Sequence, residues 1–155
     1  EKLPVSANVA DVVVSNCVMN LVPDKKKAFA ETFRVMKPGG HFSISDIVLV
    51  GNLPEGLRKN AEMYAGCISG AIQKDDYIQI IKESGFSNIE IQKNKKITLP
   101  HEILAAYLNE QELTRVKNEE LGIFSITVYA EKPLAPKPSS TEAKAACCGE
   151  GSTCC

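Results

Sequence analysis

This sequence has little net charge, no long apolar run and few histidines. Its 155 residues carry 18 basic and 19 acidic side chains, a formal net charge of −1. A basic footprint for nucleic acid is therefore missing. No apolar stretch nears the roughly 20 residues of a membrane-spanning helix. The two histidines, His41 and His101, have no partner at a useful spacing and read as surface residues. No Ser/His/Asp arrangement and no paired carboxylates stand out. Gly39 and Gly40 follow a helical pattern and precede a strand, the reverse of a dinucleotide fingerprint, so they read as a turn. There is no internal repeat, no initial methionine and no export signal. The opening, "EKLPVSANVADVVVS", reads as a loop feeding a strand, and a longer protein is expected.

What the sequence does have is an apolar content of 44 %, enough for the core of one domain, and six cysteines. Cys147, Cys148, Cys154 and Cys155 crowd into the final "CCGEGSTCC"; only Cys17 and Cys67 lie in the body. A secreted disulfide scaffold would spread its cysteines through the fold. The cytoplasm is the expected compartment, where thiols serve metal binding or reactivity.

The pattern along the chain alternates strand and helix. Residues 11–15 form a β-rich run, apolar on both faces, as in a central parallel strand. Asp24 can cap a helix in which Phe29, Phe33 and Met36 face the sheet, and "DKKK" (24–27) is its solvated start. "KPGG" (37–40) should stop that helix and turn into the strand "HFSISDIVLV" (41–50). This order implies a right-handed crossover and an α/β layer fold. Helices are expected over 53–72, over 74–86 and, continuously, through "EILAAYLNEQEL" after Pro100. Strands are expected over 88–99 and 123–132. "PLAPKPSSTEAKAA" (133–146) has the composition of a disordered linker.

Cys17 falls just past the carboxyl end of a parallel strand, where open α/β sheets bind ligands. A buried thiol acting as a small hydrophobe would look the same. Cys67 lies near the end of a helix that could cover the crevice. Converging thiolates would select a soft ion: zinc, copper(I) or a trivalent metalloid. Fifty residues separate the two, so only the fold could bring them together. The four tail cysteines suit soft-ion capture without catalysis. Asp46 could reach the crevice or cap the strand end.

"ADVVVSNCVMNLVPDKKKAFAETFRVMKPGGHFSISDI" resembles the second half of a class I S-adenosylmethionine-dependent methyltransferase. "SNCVMNL" (15–21) with "LRKNAEMYAGCISGA" (57–71) is similar to arsenite methyltransferases, whose motif thiols fall on Cys17 and Cys67. The resemblance spans residues 1 to about 99 well and continues more loosely to 132. It implies the C-terminal half of a Rossmann-like sheet with flanking helices over 1–132, without the cofactor-binding half. A flexible Cys-rich tail follows over 133–155. It also implies S-adenosylmethionine as methyl donor, with Ser15 and Asn16 nearest to it. Arsenite and methylated arsenicals would be held by Cys17 and Cys67. A thiol reductant such as thioredoxin or glutathione would be a partner, and no nucleic acid or membrane. The family's Gly-rich loop, its ribose-binding acid and its N-terminal redox cysteines have no counterpart here, so this chain alone is expected to bind the donor poorly. Strand 11–15 would then expose an apolar edge and favour association. Two other readings stand beside the enzyme: a truncated thiol module that sequesters arsenic or another soft ion, and a methyltransferase for an organic acceptor. The thiol pair argues against the last.

Overall fold

The structure, a computed structural model, describes residues 1–55, 57–59, 68, 70–118 and 120–134. Four strands, β1 (Ala10–Asn16), β2 (Met36–Val50), β3 (Ser87–Lys96) and β4 (Gly122–Glu131), form one sheet in the order β1-β2-β4-β3. β1 runs parallel to β2, whereas β4 is antiparallel to both of its neighbours. The helices are α1 (Lys25–Val35), α2 (Lys74–Glu83), α3 (His101–Tyr107) and α4 (Glu110–Lys117), and a 3₁₀ turn spans Met19–Leu21.

α1 begins as its sequence suggests: the Asp24 carboxylate accepts from the Lys27 N–H at 3.0 Å. Its end differs. Met36 is already extended and opens β2, rather than closing the inward helical stripe. Residues 37–40 belong to that strand too, and are not a separate turn. Pro38 disfavours the helical region for Lys37. Gly39 takes φ +81°, and the register with β1 slips there, from Ala10↔Met36 to Val12↔His41. The segment is an irregularity within the ladder.

The single helix expected after Pro100 is two. Leu108 is extended, and Asn109 starts α4 with a capping box: its side chain accepts from the Glu112 N–H while Glu112 accepts from the Asn109 N–H, both at 2.9 Å. The helix expected over 53–72 falls largely outside the described residues, although Leu57–Lys59 are helical. The linker and tail fall outside them as well, apart from Pro133 and Leu134. Among the described residues no helix is long and apolar enough to cross a membrane.

Both faces of the sheet are covered. On one, α1 and α2 bury Phe29, Tyr77 and Ile81 against Phe42, Ile44, Val48 and Val128. Phe29 and Tyr77 meet edge to face, with centroids 5.4 Å apart. On the other, Ile47, Leu49, Leu121 and Ile123 pack with Leu57, Ile68 and Ala71, and with Leu104, Leu113 and Val116 from α3 and α4. β1 is one of the two edges of the described sheet, with β3 at the other. Val12 is 49 % exposed and Val14 75 %. The "VVVS" run is therefore at the border of the described sheet, not at its centre, even though its parallel pairing with β2 is as expected.

Lys132 ties the sheet's far end together. Its ammonium donates to Asn8 Oδ1 (2.8 Å) and to the carbonyls of Phe33 (2.7 Å) and Met36 (2.8 Å), and lies 4.5 Å from the Phe33 ring centroid. These carbonyls lie at or just past the end of α1, where the helix dipole favours a cation. Lys132→Met should lower unfolding free energy by about 2 kcal/mol, the magnitude of a charge-assisted bond with its partners stranded. Chemical denaturation measures this directly, and a change below about 0.5 kcal/mol would make the network ornamental.

Candidate functional site

The carboxyl end of β1 turns sharply. Cys17 adopts φ +58°, a left-handed conformation uncommon outside glycine, Asn and Asp. The turn is sewn to β2: the Cys17 N–H donates to the Ser45 carbonyl at 2.8 Å, and the Asn20 amide to the Ile47 carbonyl at 2.7 Å. Cys17 itself is half-buried and packs against the cluster that holds Ile47, Leu57 and Ile68.

A second segment reaches the same place. The Leu49 N–H donates to the Ile72 carbonyl at 2.9 Å, and Leu49 bridges Gln73. Residues 70–73 are thereby anchored two positions beyond the turn's own anchor on β2. Where the segments cross, a Cβ built on Gly70 would lie 1.7 Å from the Asn20 carbonyl oxygen. Only glycine lets the two backbones approach this closely. Asn20 is three residues past Cys17, and Gly70 three past Cys67.

Behind the turn is a buried polar group. Asp46 is 1 % exposed and Asn20 3 %. The Tyr77 hydroxyl donates to Asp46 Oδ2 at 2.8 Å. Burial pushes the Asp46 carboxyl up to about 6; the Tyr77 hydroxyl, the Lys25 ammonium and the nearby Asn20 N–H pull the other way. Tyr77 is driven well above the usual phenol range, by burial first, then by the Asp46 charge and hydrogen bond, and last by the charge of Cys17. Cys17 therefore lies within electrostatic reach of this pair. Asp46 is neither at the crevice mouth nor a strand-end cap. It points between β2 and the helices, one residue from each anchoring carbonyl.

Ser15 Oγ is buried without a hydrogen-bond partner among the described residues, and Asn16 is exposed. Both stand at the carboxyl end of β1. Cys67 lies outside the described residues, as do Cys147, Cys148, Cys154 and Cys155; among those described, no three His, Cys, Asp or Glu side chains form a metal cluster. His41 is half-buried, its ring 5.2 Å from that of Tyr129, away from this turn and not on open surface. Sequence reading passed over Asn20, Tyr77 and Gly70. The usable signal was Asp46 itself, an acid inside an otherwise apolar strand.

A methyltransferase domain family matches residues 1–85, the stretch that carries β1, α1, β2 and the turn at Cys17. The chain belongs to that family. The arsenite methyltransferase of Halobacterium salinarum is 34 % identical over 131 residues, 84 % of this chain and 31 % of that protein. The human arsenite methyltransferase is 33 % identical over 100 residues, covering 64 % of this chain and 27 % of its own length. Among solved structures, the arsenic(III) S-adenosylmethionine methyltransferase of Chlamydomonas reinhardtii superposes with a TM-score of 0.62 at 29 % identity, over 84 % of this chain and 40 % of that one. This methyltransferase chain thus spans about a third of the length of the curated relatives it matches. Its mixed sheet, parallel at β1–β2 and antiparallel at β4, with helices on both faces, is the Rossmann-like class I methyltransferase arrangement expected from the sequence.

Proposed function

We propose that this chain is the acceptor-binding part of an S-adenosylmethionine-dependent arsenite methyltransferase, with Cys17 and Cys67 as the thiols that hold trivalent arsenic. The observation that carries the reading is the crossing of Asn20 and Gly70. Asn20 follows Cys17 by three residues in the sequence and Gly70 follows Cys67 by three, so the crossing supports pairing the two thiols. The sequence similarity to arsenite methyltransferases supports it independently. Cys17 also meets the expectation for a strained residue at a working position: its left-handed backbone is held by the hydrogen bond to Ser45.

The chemistry follows from softness. Trivalent arsenic prefers sulfur over oxygen ligands. Two thiolates fix the atom in place and leave its lone pair free, so that the reaction becomes a matter of positioning. Ser15 and Asn16 suit the donor's side of the site. The Ser15 hydroxyl has no partner among the described residues, and Asn16 is exposed at the same strand end. When bound, S-adenosylmethionine supplies an electrophilic methyl group. The contribution of this chain is to hold the acceptor, keep water from it with the Leu57–Ile68 side of the cluster, and orient it. Attack of the lone pair on that methyl would break its bond to sulfur and raise arsenic to the pentavalent level, and two electrons from a thiol reductant, such as thioredoxin or glutathione, would restore the trivalent state. The tail cysteines would capture the metalloid without taking part in transfer.

Because the chain spans only about a third of its relatives, sequestration without turnover is the competing reading. Arsenite titration of the chain with Cys147, Cys148, Cys154 and Cys155 changed to Ser tests the shared premise. One arsenite should bind per chain, and Cys17→Ser with Cys67→Ser should weaken binding at least tenfold. Undiminished affinity in that double variant discards the thiol pair. Methylated arsenic formed on addition of S-adenosylmethionine separates the enzyme from the sink.

A further inference from the structure

Close packing leaves few spaces larger than a water molecule inside a domain. This chain keeps a cavity of about 240 Å³ between the sheet and helices α3 and α4. Its apolar walls are Leu53, Leu57, Leu99, Leu104, Val116 and Ile123. All six belong to the apolar cluster on that face of the sheet, so the cavity lies within a packed layer. An apolar cavity of about 150 Å³ stays dry and admits benzene. On that scale, about 240 Å³ takes about ten non-hydrogen atoms. Drug-sized ligands need about 300 Å³ or more, so the fitting occupant is smaller.

The charged lining has one sign. Lys96 at the end of β3 and Lys117 at the end of α4 border the cavity, and among the described residues no acid does. Lys117 is exposed and Lys96 half-buried, which puts the charge on the solvent side. The Lys96 ammonium donates to the Val116 carbonyl in the last turn of α4. That bond fixes the head of Lys96 at the cavity wall. An ammonium has three donors, so others remain for an anion.

We propose that this cavity binds a small organic monoanion with an apolar body: a carboxylate of about eight carbons, its chain among the leucines and its head beside Lys96 and Lys117. Burial of the chain supplies most of the attraction. The lysines set the sign of the head group; as point charges they select charge rather than shape. Cys17, Asn20 and Gly70 do not line the cavity. The site therefore stands apart from the thiol turn, and its failure would leave the arsenite reading as it is.

Octanoate, of about the right size, is the probe, titrated calorimetrically into the full chain. One should bind per chain with Kd below about 1 mM, within what about ten heavy atoms can contribute. Octanol has the same apolar body without the charge and should bind about fivefold more weakly. Lys96→Met with Lys117→Met should bring octanoate down to the octanol value and leave octanol unchanged. Ile123→Phe fills the cavity from the sheet and should weaken both ligands about tenfold or more. If it does not fold, Leu104→Phe fills the cavity from α3 and decides in its place. If the lysine pair does not fold, Lys117→Met alone, at an exposed position, applies the same criterion. No octanoate bound at about 3 mM overturns the proposal, since burial of a chain that long should show by then. So does octanol binding as tightly as octanoate, octanoate binding indifferent to the lysine changes, or parent affinity in a folded variant with the cavity filled.

Discussion

Alanine at position 70 should destabilise the chain by about 3 kcal/mol or more and abolish arsenite binding in the body of the fold. Small-to-large changes in a packed interior generally cost about 1–3 kcal/mol, because side chains can shift to make room. Here the obstacle is a carbonyl oxygen 1.7 Å from where the new methyl carbon would sit. The Asn20 backbone cannot yield independently. The Asn20 side-chain Nδ2 donates to the Ile47 carbonyl, and the Cys17 N–H three residues earlier donates to the Ser45 carbonyl. The other side is held as well, through Leu49 and Ile72. The methyl group must therefore break one set of anchors or separate the two segments. Either result parts the turn after Cys17 from the 70–73 segment. Chemical denaturation and arsenite titration of Gly70→Ala check the two halves of the expectation. Wild-type values in both would show that the crossing does not organise the site.

The second large effect concerns Asp46 and pH. Its carboxyl stands at about 6 in the folded chain against an ordinary value of 3.8, through burial first. A carboxyl raised on folding favours the native state while it is protonated. As pH climbs from about 4 to about 6, the unfolded chain releases its proton before the folded one, and stability declines by up to about 3 kcal/mol at about 1.4 kcal/mol per pKa unit. Above about 7 the decline is complete. Asp46→Asn cannot ionise and should show no such decline. It should surpass the parent by about 1–2 kcal/mol at neutral pH, the balance left after about 1 kcal/mol for the weaker hydrogen bonding. Glu31 works with the opposite sign. The Arg34 guanidinium and the Leu3 N–H hold it at about 2, so its contribution fades as pH falls from about 4.5 toward about 2, equally in both proteins. The gap between variant and parent should therefore open between pH 4 and 7 and then stay constant. A constant gap across the whole range would mean that Asp46 is not the group titrating there.

Much of the framework is legible from local residues. Asp24 before a helical run is a cap, and it caps. Gly85, just past the end of α2, takes φ +95°, the left-handed conformation that glycine supplies after a helix. The valines of β1 pair parallel with β2, and "IFSITVYAE" forms the antiparallel β4. Two local readings fell short. "KPGG" looks like a turn because Pro38 and Gly39 are turn residues, yet the ladder with β1 and β4 absorbs them as an irregular strand. "EILAAYLNEQEL" keeps helical spacing across Leu108, but the Asn109–Glu112 capping box outweighs it. That signal was present and unused.

Sequence by itself determined the order of strands and helices, because alternation, caps and breakers act over a few residues and need no distant partner. It also singled out Cys17, since a thiol after a parallel strand end is a local fact. Only the tertiary structure decided that the turn at Cys17 meets the segment around Gly70, and that Asp46 lies buried with Tyr77 behind it. Those contacts join residues 31 to 50 positions apart. Their physical basis is the common attachment of separate segments to β2, a constraint on position in space that no short-range pattern encodes.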